Sequence, residues 1–160
     1  MNINELSLVT DKIICIVGIN EIKDVMIADK EDSVLISITE PNSDYIDEEI
    51  KQRYSNVLEV KFWDIIKSVG EYEIIPDDVA RSIRRFIFNN RDKRFAFHCL
   101  AGISRSAAVA QAMECLLFHD GDIYAYQTSD SQIKSHWRYM PNHTVFYKVV
   151  GEEQFIRNDF

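Results

Sequence analysis

The stretch His98-Cys99-Leu100-Ala101-Gly102-Ile103-Ser104-Arg105-Ser106 holds a cysteine and an arginine with five residues between them. A thiolate is a strong nucleophile, and a guanidinium presents paired donors that match two oxygens of a phosphate. Consecutive main-chain N–H groups in a tight loop at a helix N-terminus form a partly positive cradle for an anion. The same field favours the ionised form of a thiol set within it. Cys99 is therefore expected to act as a thiolate. Leu100, Ala101, Gly102, Ile103, Ser104 and Arg105 are expected to hold a phosphoryl group through their amides and the Arg105 side chain. Gly102 lets the backbone turn sharply. Ser106 can donate a hydrogen bond to the sulfur, stabilising the thiolate or improving it as a leaving group. The bland alternative makes Cys99 a small buried apolar residue and Arg105 a surface charge; the spacing weighs against it.

These residues need a strand before them and a helix after them. Phe95-Ala96-Phe97 reads as a buried strand, and the apolar run from Ala107 to Leu117 reads as a helix. Residues 12–19 are nearly all apolar and predict a central strand covered on both faces. Asn20 can cap a short helix with Ile22, Val25 and Met26 on one face. Val34 to Ile38 form a second buried strand, ended by Pro41-Asn42-Ser43. Asp44 can cap a helix carrying Ile46, Ile50 and Tyr54 on one stripe. Residues 57–63 alternate, with Leu58, Val60 and Phe62 on one face, which suits a strand nearer an edge. Pro76-Asp77 starts a helix running to about Asn90, with Val79, Ile83, Phe86 and Ile87 inward. One or two short helices follow between Ile123 and Trp137, and a last helix after Pro141-Asn142 carries Val145, Val149 and Phe155. Strands alternating with helices imply one α/β domain over residues 1–160, with a mostly parallel central sheet and helices on both faces. Ligands of such sheets bind beyond the carboxyl ends of the strands.

His-Cys, five residues and Arg-Ser resembles the signature of the protein tyrosine phosphatase superfamily. Ala101-Gly102-Ile103-Ser104-Arg105-Ser106 is most similar to the dual-specificity branch. The resemblance implies a cysteine-phosphatase-like fold and hydrolysis of a phosphorylated protein through a phosphocysteine intermediate. It also implies that His98 helps to hold the cysteine loop and tune its sulfur. His98 on its own reads as a packed histidine with one satisfied nitrogen. The chemistry requires neither a metal nor a cofactor.

A thiolate that attacks phosphorus expels an alkoxide or phenoxide, and both leave poorly without a proton. A positioned carboxylic acid supplies it, an effect of roughly 10²–10⁴-fold. Asp64, thirty-five residues before Cys99, lies just past a strand end. Trp63-Asp64 is similar to the Trp-Pro-Asp loop of the resembled superfamily, without its proline. Asp77 and Asp78 are the alternative acids, although aspartates at a helix start are common for capping alone.

Leu100, Ala101, Ile103 and Ser104 include no lysine, whereas superfamily members acting on phosphoinositides tend to carry basic residues there. RNA 5′-phosphatases of the superfamily tend to have asparagine where Ser104 stands. A compact recognition region suggests a shallow pocket that admits phosphotyrosine, phosphoserine and phosphothreonine. Two rivals stay open: a phosphatase for a non-protein phosphomonoester (an RNA 5′ end, a nucleotide or a phosphoinositide), and a catalytically weak phosphate-binding relative.

Composition narrows the partners. Eighteen basic and twenty-six acidic residues give a net charge of −8, which argues against nucleic acid or an anionic membrane as the main partner. No apolar run approaches a membrane span, and Met1-Asn2-Ile3-Asn4-Glu5 lacks the pattern of a signal peptide. Three cysteines, Cys15, Cys99 and Cys115, suit a reducing cytoplasm. Cys15 and Cys115 read as core residues, each also a potential disulfide partner of an oxidised Cys99. His136, Trp137, Arg138 and Tyr139 read as loop packing, with Arg138 open to contact with a substrate anion. His119 and His143 have no metal-ligand spacing.

Overall fold

The computed structural model describes residues 11–151. Among these residues four strands form one all-parallel sheet: β1 (Ile13–Gly18), β2 (Ser33–Thr39), β3 (Asn56–Lys61) and β4 (Arg94–Cys99), in the order β1-β4-β2-β3. Strands β1 and β2 are buried along their whole length: β1 is apolar throughout apart from Gly18, and β2 carries Val34, Leu35, Ile36 and Ile38 with Ser33, Ser37 and Thr39 buried among them. β3 lies at an edge and is only partly covered, in keeping with its alternation. β1 also lies at an end of the described sheet rather than in its middle. Residues packed over both its faces explain why it reads as a central strand: Ile13 and Ile16 join one core cluster, Ile14, Cys15 and Val17 the other.

Helices cover both faces unequally. The larger core lies under α2 (Asp77–Asn89), α3 (Arg105–Phe118), α4 (Ile123–Gln127), α5 (Gln132–Ser135) and α6 (His143–Val150). Among these, α3 is buried on nearly every side, so its alanines allow close packing against β4 and α6. Among the described residues, the opposite face carries a 3-10 turn at Ile22–Asp24 and the single turn α1 (Glu48–Lys51).

Two expected helices shrink accordingly. Ile46, Ile50 and Tyr54 are all buried, but only one turn of helix joins them; their stripe is set by packing under the sheet rather than by helical period. The chain is extended at Val25, which turns Met26 to the side opposite buried Val25 and leaves it 76% exposed. Asn142 caps α6 by accepting from the Val145 N–H at 3.1 Å. Phe155 and residues 1–5 lie outside the described residues.

Because every strand runs the same way, Gly18, Thr39, Lys61 and Cys99 all end at one edge of the sheet. The segments leaving those ends meet there.

Candidate active site

Cys99 is the last residue of β4 and pairs in register with Gly18 of β1. The loop that follows lies directly on the end of β1. A Cβ added to Gly102 would fall 2.3 Å from the Val17 carbonyl carbon and 2.4 Å from the Gly18 nitrogen, and Gly102 has φ +73°. Gly18 meets the loop from below, where a Cβ would sit 2.9 Å from the Leu100 carbonyl oxygen. Two glycines back to back therefore let loop and strand approach so closely.

Neighbouring segments orient the loop peptides. The Ile19 N–H donates to the Leu100 carbonyl at 3.1 Å, Met140 N–H to Ile103 at 3.0 Å and Asn142 N–H to Ser104 at 3.2 Å. A trans peptide points its N–H opposite its carbonyl. Carbonyls drawn outward at 100, 103 and 104 thus turn the N–H groups of Ala101, Ser104 and Arg105 the other way, toward the loop interior. The Gly102 N–H already donates to the Cys99 sulfur at 3.3 Å, and the Ser106 hydroxyl lies 3.1 Å from the same sulfur.

Arg105 opens α3 and is 2% exposed. A guanidinium so deeply buried requires partners. Nη1 donates to the Phe62 carbonyl and Nη2 to Glu40 Oε1, both at 2.7 Å. Its Nε is buried with no hydrogen-bond partner among the described residues.

Asp64 stands three residues past β3. Its Oδ1 accepts from the Ser104 hydroxyl at 2.8 Å and from Asn142 Nδ2 at 2.9 Å. Asn142 Nδ2 also donates to the Ile65 carbonyl at 3.0 Å, and the Thr144 hydroxyl donates to the Ile66 carbonyl at 2.8 Å. The start of α6 therefore pins the segment that carries Asp64. Asp77, in contrast, pairs with Lys148 of α6, which holds its carboxyl below the usual range. Asp78 engages Ser82 through its carbonyl. Of the three expected acids, Asp64 is the one bonded to the cysteine loop.

His98 is fully buried. Its Nε2 lies 2.6 Å from the Ser37 hydroxyl of β2, and its Nδ1 lies 3.4 Å from the Cys99 carbonyl. Burial, with the Arg105 charge adding to it, lowers its pKa to about 4, so the ring is neutral at pH 7. It braces β4 against β2 at the residue before the cysteine.

Arg138 pairs with Glu21, whose carboxylate also accepts from the Gly18 N–H at 3.1 Å. It is a strut behind the loop, not a free contact for an anion. Trp137 is 82% exposed rather than packed. Cys15 belongs to the core on the far side of the sheet. Cys115 lies ten residues along α3 from Arg105, about 15 Å away at the helical rise. Burial pushes both thiols up to about 12, and neither is placed to form a disulfide with Cys99. Sequence reasoning missed Glu40, Asn142 and Ser37. The available signals were a carboxylate at the end of a buried strand and an asparagine in a capping position.

No family model matches this sequence, and no curated protein sequence matches it. Solved structures do match in fold. The human tyrosine phosphatase-like serine/threonine/tyrosine-interacting protein is 20% identical over 79% of this chain and 78% of its own, with a TM-score of 0.52. Tk-PTP in the active form is 18% identical over 86% of each chain, with a TM-score of 0.52. PTPMT1 in complex with PI(5)P is 12% identical over 89% of this chain and 90% of its own, again with a TM-score of 0.52. The expected cysteine-phosphatase-like fold is the fold found.

Proposed function

We propose that this protein is a cysteine-dependent phosphomonoester hydrolase acting on phosphotyrosine in proteins, with phosphoserine and phosphothreonine also admitted. The observation that carries this reading is a buried sulfur hydrogen-bonded by a loop amide, beside a buried arginine whose Nε has no partner among the described residues.

The phosphoryl oxygens rest on the inward amides of the loop and on Arg105 Nε–H. The Cys99 thiolate attacks phosphorus in line, forming the S–P bond as the O–P bond to the substrate breaks. Asp64 gives its proton to the leaving oxygen. Ser104 and Asn142 both donate to Oδ1, so Oδ2 is the oxygen left to carry that proton. Water then attacks the phosphocysteine, Asp64 takes its proton back, and the thiolate departs with the Ser106 hydroxyl beside it. Fixed donors aimed at the spreading charge of the transition state supply most of the rate.

The test is hydrolysis of p-nitrophenyl phosphate by the wild type and by Cys99→Ser, with the wild type quenched in acid during turnover. Phosphate bound to Cys99 by mass spectrometry and no turnover in the variant are expected. Hydrolysis that survives Cys99→Ser would refute the reading.

A further inference from the structure

A groove of about 690 Å³ begins at Asp64 and Ser104 and runs between the segment after β3 and the start of α6. We infer that this groove binds an apolar side chain adjacent to the phosphorylated residue of a protein substrate, an inference that rests on the hydrolase reading above.

The direction follows from the chemistry. In an in-line displacement the leaving oxygen lies opposite the attacking sulfur. The acid must touch that oxygen. The body of the substrate therefore emerges past Asp64, and the groove that starts at Asp64 lies where its next atoms must go.

The lining then selects the substrate class. Ile65, Ile66, Val69 and Met140 give it apolar walls. Ile66 is 57% exposed, Val69 59% and Met140 77%. Among the described residues of the lining, Lys67 is the one permanent cation. A nucleic acid strand or a multiply phosphorylated headgroup needs several cations along its path; an apolar side chain needs none. The groove is also preformed, because Asn142 and Thr144 fix the carbonyls of Ile65 and Ile66.

The experiment measures kcat/KM on the full chain for phosphotyrosine peptides with Leu, Ala or Lys at each neighbouring position. It includes p-nitrophenyl phosphate and vesicles containing phosphatidylinositol monophosphate. At one neighbouring position Leu should exceed Ala by about tenfold or more, the range a hydrophobic pocket supplies. That ratio should collapse toward one in the variant Val69→Ser/Met140→Ser. A ratio near one at every position in the wild type, a ratio unchanged in the double variant, or vesicles turned over faster than every peptide would each overturn the inference while p-nitrophenyl phosphate is still hydrolysed. Absence of p-nitrophenyl phosphate hydrolysis would instead overturn the hydrolase reading, and the groove assignment with it.

Discussion

Lowering the pH from 7 to 5 should weaken the fold through one residue, His98. Its ordinary pKa of 6.5 falls to about 4 in the folded chain, chiefly because burial disfavours the cation. The unfolded chain therefore takes up a proton on His98 near pH 6.5, while the folded chain resists until about pH 4. Stability from this group is fully present above 6.5, falls through the interval, and is gone below about 4. The whole shift corresponds to about 3 kcal/mol, of which about 2 kcal/mol is lost by pH 5. Glu21 and Asp77, whose pKa values are lowered by Arg138 and Lys148, lose their contribution only as the pH falls through their ordinary values of 4.5 and 3.8, below the range from pH 7 to 5. Buried Glu114 works in the opposite sense, since its pKa is raised. A His98→Gln variant keeps a polar group facing Ser37 and shares those carboxylates, so subtracting its curve isolates the imidazole. Urea unfolding at pH 7, 6 and 5 should show the wild type losing about 2 kcal/mol more than the variant across the window. Parallel curves for the two proteins would refute the reasoning.

Asp64→Ala should lower hydrolysis of a phosphoserine peptide by roughly 10²–10⁴-fold and that of an aryl ester with a good leaving group far less, whereas Asp77→Ala should spare the ratio between the two; equal losses on both esters would remove Asp64 from the acid's role. Gly102→Ala should lower unfolding free energy by more than the roughly 1–2 kcal/mol of a left-handed residue, because its Cβ also meets Val17 and Gly18 backbone at 2.3 and 2.4 Å. Gly70→Ala, with φ +59° and no atom within 4 Å, should cost only the conformational part; thermal unfolding of both variants checks the contrast.

What the sequence disclosed depended on how far apart in the chain the cooperating residues lie. His98 to Ser106 form one contiguous stretch between a strand and a helix, so spacing alone exposed the sulfur, the arginine and the turn between them. Asp64 was half legible, since its place past a strand end is local while its bonds to Ser104 and Asn142 are not. Glu40 and Ser37 reach the site only because β2 lies beside β4, and nothing in the order of residues fixes the arrangement β1-β4-β2-β3. The sequence places a helix after Pro141-Asn142, but Asn142's cap on that helix and its hydrogen bond to Asp64 appear only in the folded chain. The failed helix at Ile46 to Tyr54 and the exposed Met26 share one cause: burial on the thinly covered face comes from packing, which overrides local period.

The proposed reaction asks an acidic chain to receive a dianion. Glu40 pairs with Arg105 at 2.7 Å, and His98 is held neutral by burial. Side-chain cations therefore supply little net attraction for the phosphate of the proposed reaction. What remains is the main chain: inward amides of the loop and the positive end of α3, a helix of fourteen residues. Recognition through backbone dipoles is insensitive to the net charge of −8 but very sensitive to loop shape. On this argument a methyl group at Gly102 should harm phosphate binding more than removal of any surface lysine, because it displaces the donors themselves rather than a screened charge at a distance.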